Sequence, residues 1–500
     1  MFRLLLAALA LTTTTAAADD AVRLKILSFN IWYGGDQVSF AKVIEAIRAA
    51  DADIVGLQEP DGKTLEIAAA AGYPYADTRR HILSKFPIFD SGSGETTYQG
   101  APWYSVAGVD PDRVHAWIMV APGRVVAVAN THLTSDPYGP ELARDGLTLE
   151  EVLQNEADTR VPEAQALVDG LKPVIDTGAP VILTGDFNTP SHLDWTEAAV
   201  AARGLPFAVD WPTTRLLADA GFTDSYRAAH PDPVASPGLT WTPGRPWPVL
   251  PEGETHDRID HVQVANAAVI EATVVGEPGN PDVGVSVTPW PSDHRAVLAT
   301  VEAVPAAAPA LITTEPRPVR AGADVLIRVH VPEGGNWSAY IVPRGGAADQ
   351  GLTGIADVSL ADRPTILLST AGIAPGAYDA VLLGDDGAEL ARHAFSIVAA
   401  DGQATLTLAQ GKVTPGADIA LTFTGAPGFK LDWIGIWRAG DPSVYNYLGF
   451  AYTGARHEGA ITFPAAELYE ELAPGDYEAR LMFDDHYRAV AIAPFSVVAE

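Results

Sequence analysis

Short apolar runs that stop abruptly at a polar residue recur through the first part of the chain. The plainest is Val181-Ile182-Leu183-Thr184-Gly185-Asp186-Phe187-Asn188, set between Pro180 and Thr189-Pro190. An apolar run bounded by Pro and Gly predicts a buried strand, and period-two alternation puts Asp186 and Asn188 on one side of it. An Asx-type turn after a strand accounts for this stretch equally well on its own. Val22 to Phe29 predicts a strand ending at Asn30. Phe40, Val43, Ile44 and Ile47 recur at helical spacing, and Asp53 to Leu57 returns as a short strand running into Glu59. Ile82 to Ile88 predicts one more strand. Val114 to Val120 and Arg124 to Asn130, joined by Ala121-Pro122-Gly123, predict a hairpin whose second arm reaches His132. Leu149 to Leu171 predicts a helix bent or interrupted at Pro162, with helical pieces again at Glu197 to Arg203 and Thr213 to Ala220. Asp257 to Val264 predicts a strand carrying Asp260, and Ser292-Asp293-His294 leads into the strand Ala296 to Val301.

Asn30, Glu59, His132, Asp186, Asn188, Asp260, Asp293 and His294 therefore all fall at or next to ends of predicted strands. Polar groups held at the edge of a rigid sheet are how α/β enzymes assemble sites. One at a time each has a plainer role: Asn30 in a turn, Glu59 as a helix cap, either histidine as a satisfied imidazole, Asp260 as the partner of Arg258. Eight in matching positions point to one cavity.

The second part of the chain changes pattern. Glu302 to Ala310, rich in Ala and Pro, reads as an extended linker that buries little. Beyond it Gly322-Ala323-Asp324-Val325 recurs as Gly416-Ala417-Asp418-Ile419, and Pro375-Gly376-Ala377-Tyr378 as Pro474-Gly475-Asp476-Tyr477. Phe395-Ser396-Ile397-Val398 likewise recurs as Phe495-Ser496-Val497-Val498. Short alternating segments with Gly/Pro turns predict two tandem all-β, Ig-like sandwiches, at 311–399 and 403–499.

Composition narrows the setting. Met1-Phe2-Arg3, the apolar Leu4 to Leu11 and the small residues ending in Ala16-Ala17-Ala18 predict a signal peptide over residues 1–18, and hence a secreted or periplasmic protein. The apolar segment is shorter than the roughly 20 residues of a membrane-spanning helix, and no other stretch is long enough. With no cysteine, stability rests on core burial, helped by a bound metal where one is present. A formal net charge of −31 argues against broad electrostatic capture of nucleic acid and leaves room for a local, metal-assisted phosphate site.

With Ser28-Phe29-Asn30, Leu57-Gln58-Glu59, Ile82 to Ile88, Thr131-His132-Leu133, Gly185-Asp186-Phe187-Asn188, Arg258-Ile259-Asp260-His261 and Ser292-Asp293-His294 in that order, residues 22–303 resemble the endonuclease/exonuclease/phosphatase (DNase I-like) superfamily. The resemblance implies a four-layer α/β sandwich, two β-sheets covered by helices, with a site at their shared edge. A phosphate ester resists attack because its oxygens repel the nucleophile, so its hydrolysis calls for a cation, a base for water and donors for the developing charge. By resemblance Asn30, Glu59 and Asp293 hold Mg²⁺, or Mn²⁺ or Ca²⁺. Asp186 orients or deprotonates water, and Asn188 holds phosphate or water. His132 and His294, the latter oriented by Asp260, bind phosphoryl oxygens or assist proton transfer.

Two departures weigh against a DNA-directed member. The acid that many of these carry two residues after the first Asn is Trp32 here, and the tyrosine and second acid that several nucleases place in the middle region have no clear counterpart, Tyr98 and Glu95 being only candidates. Residues 21–303 also hold about twice as many acidic as basic side chains, the opposite of a DNA-binding groove. Trp32, Tyr33, Trp103, Trp195, Trp241, Trp247 and Trp290 either line a lipid or sugar pocket or anchor core and loops. Asp432 to Trp437 and Asp484-Asp485-His486-Tyr487 either contact a glycan or cell-surface partner or serve strand packing. The expectation is an exported phosphoesterase acting on nucleic acid, a phospholipid or a sugar phosphate. The rival is a catalytically inactive surface-binding protein that works through its sandwiches.

Overall fold

The computed structural model describes residues 21–90, 114–243, 254–315, 317–332, 337–358, 365–409, 412–429, 431–483 and 487–499. The expected signal peptide, the loop from Gly92 to Gly100 with Glu95 and Tyr98, Trp103, Trp247 and Asp484-Asp485-His486 lie outside the described residues.

Two seven-stranded sheets organise the first part of the chain. One has Val22–Asn30 at its heart, antiparallel to Ala296–Ala303 and parallel to Ile54–Gln58. The other is built around Val181–Asp186, parallel to Arg124–His132 and antiparallel to Asp260–Ala265. Alternation gives each sheet two apolar faces. Leu24, Ile26 and Ile54 of one sheet meet Val126, Val128, Ile182 and Val262 of the other in a buried apolar seam. On the far face of the first sheet Leu27 and Phe29 pack under Val43 and Ile47 of helix Phe40–Ala50. On the far face of the second, Val181 and Leu183 pack under Leu167 and Leu171 of helix Arg160–Asp176. Helix, sheet, sheet, helix is the four-layer α/β sandwich of the DNase I-like fold. Gly56 sets how closely the sheets approach: a Cβ there would lie 1.9 Å from Thr184 Oγ1 and 2.5 Å from Asn130 Oδ1.

Three local expectations change. The run Ile82 to Ile88 is two strands in different sheets, Ile82–Ser84 and Ile88–Asp90. The chain turns between them, where Ser84 Oγ accepts the Phe86 N–H at 2.9 Å and Pro87 has no N–H to continue a ladder. The helix expected from Leu149 to Leu171 is two, Leu149–Asp158 and Arg160–Asp176, divided at Thr159 (φ −116°, ψ −85°). Pro162 then falls in a first turn, where its missing N–H costs nothing. The stretch Glu302 to Ala310 is also no free linker. Ala306 and Ala307 pair with Val125 and Arg124 at a point where the neighbouring strand has not yet begun, and Ala308 N–H donates to Gly123 O at 2.9 Å. Ala308 and Leu311 are buried against Phe89 and Val125, because alanine is small enough to lie flat on a sheet edge.

Beyond it the chain forms two all-β sandwiches, consistent with Ig-like modules. The first packs a three-stranded sheet on a five-stranded one around Val325, Ile327, Ile341 and Phe395. The second packs three strands on four around Leu421, Phe423, Ile434 and Phe495. The repeated Pro-Gly-x-Tyr places equivalent tyrosines: Tyr378 donates to Ala374 O at 2.7 Å and Tyr477 to Ala473 O at 2.9 Å. Both sandwiches touch the α/β layers. His393 Nε2 lies 3.1 Å from Asp90 Oδ2, and Tyr445 donates its hydroxyl to Asp61.

Candidate active site

Strand parity decides what faces the seam. Ile182 lies in the inter-sheet core, so Thr184 and Asp186 share its side. Counting from Ile26 brings Ser28 and Asn30 inward, from Val128 brings Asn130 and His132, and from Val262 brings Asp260. Register then sets three of these abreast: His132 pairs with Asp186 across a parallel ladder and Asp260 with Asp186 across an antiparallel one. Glu59 follows Gln58 with φ +57°, a left-handed turn that leaves its carboxylate against the Trp32-Tyr33 loop.

Asp186 is the centre of the arrangement. Its Oδ1 accepts the Asn188 N–H at 2.9 Å and its Oδ2 accepts Asn30 Nδ2 at 3.0 Å. His132 Nε2 and His294 Nε2 stand 3.5 and 3.6 Å from the same Oδ2. Asn188, at φ +48°, donates its Nδ2 to Leu133 O at 2.8 Å, which fixes the amide. His294 Nδ1 meets Asp260 Oδ2 at 2.9 Å. Burial alone would lower the His294 imidazole, but Asp260 and Asp186 raise it well above its ordinary value, so the ring carries a proton and a charge. Its ring centroid lies 4.7 Å from that of Trp241. Ser292 Oγ accepts the His294 N–H at 3.1 Å and donates to Asn30 O at 2.7 Å, tying this loop to the opposite strand.

Asn30 Nδ2 also donates to Glu59 Oε1 at 3.1 Å, and Glu59 Oε2 accepts the Tyr33 N–H at 2.8 Å. Asp293 is pushed up to about 6 by burial, which outweighs the lowering by His294, with Glu59 and Asp186 adding to the rise. Among the described residues no Lys or Arg is paired with Glu59, Asp186 or Asp293. The three carboxylates supply hard oxygens that fit a small divalent cation. The Asn30 amide instead turns its Nδ2 toward Glu59 and Asp186 and its Oδ1 accepts the Trp32 N–H at 3.0 Å, so it would have to turn to offer oxygen to a metal. Asp186, Asp260 and His294 form a separate candidate metal group, one ligand atom of each lying within 4.8 Å of the others, which would take a cation only with His294 in its neutral form.

All eight residues singled out in the sequence lie at this end of the seam, although Asp260 stands behind His294, and Arg258 pairs with Asp224 (2.7 Å) and Asp194 (3.0 Å) instead. Two supporting residues were not singled out. Asn130 Oδ1 accepts from Gln58 Nε2 at 2.7 Å and Thr184 Oγ1 at 2.8 Å, and its Nδ2 donates to Leu57 O at 2.8 Å and Arg80 O at 2.9 Å. Its signal was an amide at inward parity two residues before His132. Ser292 carried only the weak signal of standing beside Asp293.

A sequence profile of the Endonuclease/Exonuclease/phosphatase family matches residues 27–294. The chain belongs to this family. Family enzymes are typically metal-dependent and act on phosphate esters, and the matched segment runs from the strand carrying Asn30 to His294 itself. A Caenorhabditis elegans protein described as uncharacterized is 27% identical over 248 residues, 46% of this chain and 73% of its own. A family structure from Beutenbergia cavernae is 17% identical with a TM-score of 0.35, covering 75% of this chain and 100% of that one. The catalytic domain of Xenopus laevis APE2 is 16% identical with a TM-score of 0.35, covering 57% and 94%.

Proposed function

We propose that this protein is an exported, divalent-metal-dependent phosphoesterase that hydrolyses a phosphodiester or phosphomonoester of a nucleic acid, phospholipid or sugar phosphate. The observation that carries the reading is the row His132, Asp186, Asp260 with His294 closing on Asp186, beside the Asn30 and Glu59 pair. Mg²⁺ or Mn²⁺ held by Asn30, Glu59 and Asp293 would polarise a phosphoryl oxygen and offset its charge. Asp186, an acceptor at the middle of the row, orients water and takes its proton. His294, charged and held by Asp260, and His132 donate to phosphoryl oxygens as charge develops on them. Asn188, its amide fixed by Leu133, holds the phosphate or the water. Export rests on the N-terminal series Met1 to Ala18, and among the described residues no helix is long and apolar enough to cross a membrane.

The test is hydrolysis of bis(p-nitrophenyl) phosphate, plasmid DNA, a phosphocholine lipid and inositol phosphates with Mg²⁺ and then with EDTA. Activity that EDTA abolishes and Asp186→Ala lowers about a thousandfold is expected, the scale set by loss of a general base together with positioning. Full kcat in Asp186→Ala or His294→Ala would remove the mechanism. No turnover on any ester, with no heat signal on divalent-metal titration, would favour the surface-binding protein.

A further inference from the structure

The phosphoesterase reading accounts for the floor of the cleft and leaves one wall unexplained. The cleft, about 750 Å³, is lined below by Glu59, Asp186 and His294 and on one side by the last β-sandwich, through Trp433, Tyr445, Tyr447, Phe450, Tyr452 and Tyr487. Trp433 is held by edge contacts to Tyr447 (5.5 Å), Phe450 (6.0 Å) and Tyr487 (5.8 Å), so the wall is rigid. Trp433 is itself only 4% exposed and forms the base of the wall, its indole Nε1 buried with no hydrogen-bond partner among the described residues. The half-buried Tyr447, Phe450 and Tyr487 packed on it present the faces toward the cleft. Tyr445 joins the wall to the floor. Its hydroxyl donates to Asp61, two residues after Glu59, and its ring lies 4.8 Å from Tyr33 on one side and 4.8 Å from Tyr487 on the other. Rings serving only to cement two domains would be buried between them, yet Tyr33 remains 46% exposed and the tyrosines line open space.

Charge says what the wall suits. The carboxylates lining the cleft are Glu59, Asp61, Asp136, Glu141, Asp186 and Asp293, against the guanidinium groups of Arg79 and Arg80, which are themselves paired with Asp90 and Asp77. Ring faces carry negative charge density and bind cations, tryptophan and tyrosine best, and neighbouring carboxylates add to the attraction. A polyanion meets repulsion at the same surface. We propose that the last β-sandwich supplies a subsite of the active site, an aromatic and acidic wall that takes the organic ammonium group of a phosphoester whose phosphate lies over Asp186 and His294. This rests on the phosphoesterase reading and names its substrate class, a zwitterionic ester.

Three esters test it on the full-length protein with Mg²⁺: p-nitrophenyl phosphocholine, its isostere p-nitrophenyl 3,3-dimethylbutyl phosphate in which an uncharged tert-butyl group replaces the ammonium, and bis(p-nitrophenyl) phosphate. The expected result is kcat/KM about tenfold higher for the choline ester than for the isostere, with tetramethylammonium competing against the choline ester. Tyr487→Leu collapses the ratio toward one, and Tyr487→Phe retains part of it. Tyr447→Leu serves where thermal melting shows that Tyr487→Leu does not fold. Equal kcat/KM for the two esters, or a preference that survives both leucine variants, overturns the proposal while leaving hydrolysis of bis(p-nitrophenyl) phosphate in place. If none of the three is hydrolysed, and plasmid DNA and inositol phosphates are not hydrolysed either, the phosphoesterase reading fails. Calorimetric binding of tetramethylammonium then decides the wall alone, supported if Tyr487→Leu removes the heat and overturned if the native protein gives none or Tyr487→Leu leaves the heat unchanged.

Discussion

His294 stands between two carboxylates, Asp260 at 2.9 Å and Asp186 at 3.6 Å, and its charge depends on both. Burial opposes the imidazolium and the carboxylates overcome it. Asp260→Asn removes the larger support, so the ring loses its proton at lower pH. The alkaline limb of the pH–rate profile moves to lower pH, and kcat falls about a hundredfold. Asp293 works with the opposite sign. Its folded value of about 6 lies above its ordinary one, so the folded protein keeps a proton that the unfolded chain has released, and the stability this contributes is lost as pH rises through about 6. A divalent cation replaces that proton. The rise in melting temperature on adding Mg²⁺ is therefore larger at about pH 7.5 than at about pH 5, and Asp293→Asn removes that difference. In the metal-free protein above pH 6 the same substitution raises the melting temperature.

At the scale of elements, the site exists because two sheets end together. Ser28 Oγ accepts the Gly185 N–H at 2.9 Å, and Asn130 bonds to Leu57, Gln58 and Thr184, so both sheets are stitched just behind the row of His132, Asp186 and Asp260. Gly56 permits this approach. Gly56→Ala drives a methyl into Thr184 and Asn130 and is expected to destabilise by about 1–3 kcal/mol, read as a lowered urea midpoint. Because the displaced groups anchor the strand ends, kcat falls with stability rather than independently of it. Buried Arg258, paired with Asp194 and Asp224, anchors the loop before Asp260 from the far side.

For the whole molecule, contacts between the α/β layers and the sandwiches matter as much as either core. Asp90 is buried among Arg79, Arg80 and His393, the last from the first sandwich. Burial alone would raise its carboxyl, but the two guanidinium groups and His393 hold it well below the usual carboxylate range. Its contribution is therefore present at neutral pH and lost as pH falls through the folded value. Asp90→Asn is expected to cost about 3 kcal/mol at neutral pH in guanidinium unfolding, with the difference shrinking toward about pH 3. It also speeds limited proteolysis near Ala306, where the connecting segment is pinned to the sheet. Trp195 and Trp290, two of the aromatics weighed as pocket or anchor, are buried packing residues. Trp32, Tyr33 and Trp241 line the cleft.

Alternation and turn chemistry in the sequence were enough to place Asn30, Glu59, His132, Asp186, Asp260 and His294 at strand ends, because strand parity and Gly/Pro punctuation are local properties of the backbone. The tandem β-sandwiches were legible for the same reason, through the repeated Pro-Gly-x-Tyr and its capping hydroxyl. Which strands lie side by side is not local. The register that aligns His132, Asp186 and Asp260, the division of Ile82 to Ile88 between two sheets and the pinning of Ala306 all follow from long-range pairing. So does the approach of Tyr445 and Trp433 to Glu59 from a module nearly four hundred residues away. A single strand carries no information about its neighbour, and only the packed sheets decided that the last sandwich forms a wall of the cleft whose floor the first strands build.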